Sequence, residues 1–129
     1  MKKEVIVDTS YLIYLLKEQK LDKLVKEYIP HIVDLTLYEY LRGEYYMGRD
    51  AQKAKNYIEK IFNIIKLDNH TIIKACEIWT KLARKGELIP EIDILIASAC
   101  ITNNMPLLTL DIDDFKRLEK YGLKLEKTK

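Results

Sequence analysis

Most of the twenty acids of this chain lie beside lysines on what reads as a solvated helix face, as Glu18, Glu27, Glu59 and Glu77 do. Four stand apart. Asp8 closes the β-branched run Val5-Ile6-Val7, Glu39 follows Thr36 by three positions, Asp93 lies between Ile92 and Ile94, and Asp111 follows the apolar segment Leu107-Leu108-Thr109-Leu110. Carboxylates gathered in one cleft raise one another's pKa unless a cation neutralises them. Hard divalent ions do this, and Mg²⁺ or Mn²⁺ suits a set of Asp and Glu oxygens completed by water. An ion so held acidifies a water and stabilises the attacking and leaving oxygens of a phosphodiester, so the chemistry predicted from such a cluster is metal-dependent phosphodiester hydrolysis.

Other chemistries are thinly represented. His31 and His70 stand at a strand start and beside a helix cap and read as structural. The chain contains no GxxxxGK[ST], GxGxxG or GxSxG, so a phosphate loop, a dinucleotide cradle and a nucleophile elbow all lack their backbone. Cys76 and Cys100 lie in helical patterns without CxxC spacing and read as small buried hydrophobes in a reducing compartment.

The four acids meet only if their elements present them on one edge. Residues 4–8 read as a strand too short for a helix and suited to burial on both faces, followed by helices over 10–17 and 21–28, the second ended by Pro30. His31 to Leu35 suits a second strand. Thr36 then makes an N-cap with Glu39 at the capping-box position, opening a helix that runs to Tyr46 or Met47, where Gly48 breaks it. Asp50 starts a helix to about Phe62, and residues 64–67 read as a third strand. Asp68 or Asn69 opens a long helix with an apolar stripe of Ile72, Ile73, Cys76, Trp79, Leu82 and Ala83, closed by Gly86. The segment after Pro90, EIDILIASACITNN, is apolar nearly all round and reads as a buried helix. Residues 107–110 read as a fourth strand, 111–120 as a helix and 123–125 as a last strand.

Helices alternating with short apolar strands predict a three-layer α/β domain around a mostly parallel sheet. In such a sheet the strand ends and the N-termini of the following helices share one edge, where ligands bind, so all four carboxylates are expected to converge there. Each acid also has a bland reading: Asp8 and Asp111 as helix caps, Glu39 as half of a capping box, Asp93 as an acid at a positive helix end. Glu91, Asp113 and Asp114 compete with Asp93 and Asp111.

At 129 residues, with 48% hydrophobic and 33% charged residues and only four Gly and three Pro, the chain reads as one compact domain. Charges interrupt every apolar stretch before the roughly 18 residues a membrane span needs, so a cytoplasmic protein without membrane contact is expected. The net charge of +2 makes no case for nucleic acid by itself, and a basic groove must be local. Tyr38, Tyr40, Arg42, Tyr45, Tyr46 and Arg49, with Lys53 following, gather cations and rings near Glu39. Arg42 and Lys116 are candidate phosphate contacts, although tyrosines at helical spacing read first as core, dimer or partner-groove residues.

The chain resembles the PIN-domain ribonucleases, and in particular the short single-domain VapC toxins, through VDTSYLIYLL with Asp8, LTLYEYLRG with Glu39, EIDILIASAC with Asp93, and PLLTLDIDDF with Thr109 and Asp111. The likeness spans essentially the whole chain. It implies a five-stranded parallel sheet flanked by helices, a Mg²⁺- or Mn²⁺-dependent endoribonuclease, a homodimer, and inhibition by a small VapB-like antitoxin. It makes Asp8, Glu39 and Asp93 the main acidic cluster and Asp111 the fourth acid, with Thr9 or Ser10 and Thr109 in support. Rivals fare worse: Thr9 stands where a receiver domain pairs its acids, and Ser10 where a haloacid-dehalogenase-type phosphatase has its second Asp. A PIN nuclease of RNA processing and a non-catalytic PIN relative share the pattern.

Overall fold

The computed structural model describes residues 1–127. Four strands, β1 (Lys3–Val7), β2 (Tyr28–Val33), β3 (Asn63–Ile65) and β4 (Leu107–Leu108), form one parallel sheet in the order β3-β2-β1-β4. Helices α1 (Thr9–Lys17) and α2 (Leu21–Glu27) join β1 to β2, and α3 (Asp34–Tyr46) and α4 (Ala51–Ile61) join β2 to β3. The helices α5 (Asn69–Lys85) and α6 (Glu91–Asn103) lead to β4, and α7 (Ile112–Lys116) follows it.

Alternation along the strands builds the three layers. Val5 and Val7 pack with α1, α2 and α4 through Leu12, Leu15, Leu24 and Ile58, whereas Ile6 points the other way, into Ile78, Leu82, Ile94 and Ala97 of α5 and α6. Leu107 and Leu108 divide between the two faces in the same manner. No described helix is long and apolar enough to cross a membrane.

The α/β class, the layering and the parallel sheet agree with expectation, but the sheet has four strands among the described residues rather than five. The predicted last strand is one parallel bridge, Leu107 to Leu125, with Leu107 N–H donating to the Lys124 carbonyl (2.9 Å) and Glu126 N–H to the Leu107 carbonyl (2.8 Å). With β4 only two residues long, there is no ladder for a fifth strand to extend. The helix predicted over 111–120 likewise divides into α7 and a 3₁₀ turn at Glu119–Tyr121.

Three local expectations are corrected. Strand β2 starts at Tyr28, three residues before the predicted start, and runs through Pro30; β3 pairs it only from His31 onward, so Pro30 stands where the strand is paired on one side alone. Helix α3 consequently begins at Asp34 with Val33 as its cap residue, and Thr36 lies fully buried inside the first turn instead of capping it. Cys76, expected to be buried, is exposed. Helix α5 buries Thr71, Ala75, Ile78 and Leu82 against α6, so its second apolar stripe, Ile72, Cys76 and Trp79, faces outward.

Candidate active site

The strand order reverses between β1 and β4, whose neighbours lie on opposite sides, and in parallel sheets the crevice beyond the carboxyl ends of such a pair receives ligands. A cleft of about 560 Å³ opens there, lined by Asp8, Thr9, Ser10, Glu39, Pro90, Glu91, Ile92, Asp93 and Asp111. All four singled-out acids are on its wall. They arrive from the end of β1, the second turn of α3, the first turn of α6 and the residue before α7.

Asp8 is 2% exposed and is fully engaged on one oxygen. Its Oδ1 accepts from Tyr11 N–H (2.9 Å) and Ser10 Oγ–H (2.8 Å), and its Oδ2 accepts from the Thr109 hydroxyl. Asp8 is thus both the N-cap of α1 and a member of the cleft, so the bland reading holds beside the functional one. A carboxylate offers about four lone-pair positions, which leaves one on Oδ2 for a ligand. Burial raises the Asp8 pKa, while the bonds from Thr109, Tyr11 and Ser10 work to lower it.

The supporting hydroxyls are themselves fixed. Thr109 Oγ1 accepts from Asp111 N–H (2.9 Å), which turns its proton towards Asp8, and Ser10 Oγ accepts from Leu110 N–H (3.3 Å). These bonds lock the end of β1 to the end of β4. Thr9 Oγ1 donates to Glu39 Oε1 (2.6 Å), and Glu39 Oε2 takes no hydrogen bond among the described residues. Because Thr36 is not the cap of α3, the capping-box role for Glu39 disappears and its contact is with the cleft residue Thr9.

Asp93 lies in the first turn of α6, at the positive end of a thirteen-residue helix. Its pKa is nevertheless pushed up to about 6, by burial first and then by the charges of Asp8, Asp111, Glu39 and Asp114. The repulsion follows from the placement of Asp8, Glu39, Asp93 and Asp111 on one cleft wall. Of the late aspartates, Asp111 lines the cleft, and Asp114 acts on Asp93 from the first turn of α7.

The donor set fits a hard divalent ion that retains water. It is made of oxygens alone, and a cation would relieve the repulsion on Asp93. No three acidic, His or Cys side chains among the described residues stand close enough to ligate one bare ion together. Mg²⁺ dehydrates reluctantly and is commonly bound through one or two carboxylates, so an ion held here would be met by one or two of these acids and would keep several waters.

Sequence reading missed the apolar part of the wall, Pro90 and Ile92, whose only signal was adjacency to Asp93. Glu91, read as a rival of Asp93, lines the cleft with it. Arg42 and Lys116 are exposed and are not among the lining residues. Arg49 is tied to Glu44 by its Nε at 3.0 and 3.1 Å. His31 is buried with its Nε2 3.1 Å from Glu4 Oε1 and is not among the residues that line the cleft.

Comparison with known proteins agrees in sequence and in fold. The model of the PIN domain family matches residues 5–121. The chain is 34% identical over 122 residues to Ribonuclease VapC1 of Methanocaldococcus jannaschii, covering 95% of this chain and 86% of the relative. It superposes with a TM-score of 0.82 and 27% identity on a chain of VapBC2 from Rickettsia felis bound to a promoter DNA fragment, covering 98% of this chain and 99% of the other. A chain of VapBC-1 from nontypeable Haemophilus influenzae shares the fold with a TM-score of 0.83 at 19% identity, covering 96% and 97%.

Proposed function

Since the chain belongs to the PIN-domain family, we propose that it is a Mg²⁺- or Mn²⁺-dependent endoribonuclease acting as the toxin of a VapBC-type pair, restrained by a small VapB-like antitoxin. The observation that carries this reading is the convergence of Asp8, Glu39, Asp93 and Asp111 at the sheet's switch point, with Asp93 repelled by the other three. When bound, the divalent ion supplies Lewis acidity, lowering the pKa of water and neutralising charge on the scissile phosphate.

The protein's own part is positioning. Ser10, Tyr11 and Thr109 hold the Asp8 carboxylate in one orientation with a single lone pair free, and Thr9 fixes one oxygen of Glu39 and leaves the other open. Asp93 and Asp111 supply the remaining negative charge, and Pro90 and Ile92 narrow the cleft on the α6 side. A relative named a VapC ribonuclease and a neighbour that is a VapBC complex support the toxin assignment. Free thiols at Cys76 and Cys100 support a reducing, cytoplasmic location. The apolar groove of Ile72, Cys76, Trp79, Ile94 and Leu95 between α5 and α6 supports homodimerisation.

Asp8→Asn and Asp93→Asn test the site. Both should bring metal-dependent RNA cleavage to background, while circular dichroism and thermal unfolding show a folded chain, since Asn caps a helix about as well as Asp. Undiminished cleavage by both variants would sink the proposed site.

A further inference from the structure

Helix α3 contributes Glu39 to the cleft and then continues beyond it with a surface unlike any other on the molecule. Glu39, Arg42 and Tyr46 are spaced i, i+3, i+7 and form one row; Tyr38, Arg42 and Tyr45 form a second beside it. The tyrosines are not core: Tyr38, Tyr45 and Tyr46 are 57%, 71% and 88% exposed. The guanidinium of Arg42 lies over the Tyr38 ring, 5.3 Å from its centroid, and has no acidic partner among the described residues. At Gly43 the helix backbone is bare, and an added Cβ would meet nothing within 4 Å. Past the turn, Lys53, Tyr57 and Lys60 border a shallow depression on α4.

We propose that this face of α3 is a single-stranded RNA track, which stacks nucleobases on Tyr45 and Tyr46 and holds phosphate on Arg42 as the strand leaves the acidic cleft. The inference rests on the ribonuclease reading of that cleft. Ring faces beside an unpaired cation are the combination that binds single strands without regard to sequence. A row of seven residues along a helix spans about 10 Å, room for about three stacked nucleotides at ~3.4 Å each. The groove between α5 and α6 makes the contrast: Ile72, Trp79, Ile94 and Leu95 make its lining largely apolar and no lysine or arginine lines it, a surface suited to protein. Arg49 does not belong to the track, because its guanidinium is committed to Glu44.

The test is RNA binding in the uncleaving Asp93→Asn background with Mg²⁺ present, read as fluorescence anisotropy of a labelled single-stranded oligonucleotide. Tyr45→Ala and Tyr46→Ala should each weaken binding about fivefold or more, with Tyr46→Phe retaining it. Arg42→Ala should flatten the dependence of log affinity on log salt concentration by about 0.7. These exposed positions are not needed for folding, which circular dichroism verifies. Parent-like affinity and salt slope in the alanine variants would overturn the track. So would variants that bind RNA normally but lose a co-expressed protein partner, which would make the face a protein interface. Cleavage by the parent chain reports separately on the cleft: if it cleaves while the α3 variants bind RNA unchanged, only the track fails.

Discussion

A carboxylate at a strand end gains its meaning from the hydroxyls that hold it. Thr109 both accepts from Asp111 N–H and donates to Asp8, so it joins two acids of the cleft through one oxygen. Thr109→Val removes both bonds at nearly constant volume and should lower cleavage about 10–100-fold, as loss of groups that orient metal ligands generally does. Thr109→Ser should restore most of it, and steady-state cleavage of a labelled RNA measures both. Asp93 predicts a pH effect on the metal-free protein. Its folded pKa, about 6, lies above its ordinary value of 3.8, so between those values the folded state holds more of the proton than the unfolded. Stability contributed by the protonated carboxyl is therefore fully present below about pH 4 and lost as pH rises through 6. At neutral pH Asp93→Asn should stabilise the metal-free chain by on the order of 1 kcal/mol, once the side chain's partial exposure is allowed for. Chemical denaturation with and without Mg²⁺ at pH 5 and 7 measures this, and a parent chain equally stable at both pH values without metal contradicts it.

Helix ends decide where each functional side chain falls. Asp68 caps α5 through Thr71 N–H at 2.9 Å, and Gly86 closes the same helix at φ +67. Asp68→Ala should cost about 1 kcal/mol, and Gly86→Ala about 1–2 kcal/mol because a Cβ is disfavoured in the left-handed region. Urea unfolding measures both, and neither should alter the cleft. These ends were legible because capping chemistry is local. The start of α3 was not, since a plausible capping box at Thr36 and Glu39 competed with a strand that runs two residues less far than its apolar pattern suggested. Pairing of β2 with β1 and β3 overrides the local cap, and as a result Glu39 is released to Thr9. The face of α5 was misread for a related reason. Ile72, Cys76 and Trp79 form the more conspicuous apolar stripe, but the small Ala75 lets α6 lie close, so the packed face is the quieter one.

The molecule as a whole presents two exposed surfaces with different chemistry beside one acidic cleft. The aliphatic groove between α5 and α6 shares Glu91 with that cleft, so a second copy seated there would adjoin the active site. Trp79→Glu and Ile72→Glu should convert a dimer to a monomer in light scattering after gel filtration, without unfolding it. A monomeric parent chain at tens of micromolar would remove the dimer from the proposal. Glu126 illustrates how the end of the described chain is secured: its carboxylate takes Lys3 Nζ at 3.0 Å and the Tyr28 hydroxyl at 2.9 Å, fastening the bridge segment across β1 and β2.

From the order of residues alone came the class of fold, the alternation of strands and helices, and the four candidate acids. All of these depend on composition, period and short-range spacing, which a linear pattern carries. Tertiary structure put Asp111 on the cleft wall with Asp114 acting on Asp93 beside it, made Asp8 a cap and a cleft residue at once, and left Tyr38, Tyr45 and Tyr46 of α3 exposed. Those outcomes depend on the register of β4 against β1 and on the close approach of α5 to α6. Such contacts join residues a hundred positions apart, and their energies appear only when the chain has closed on itself.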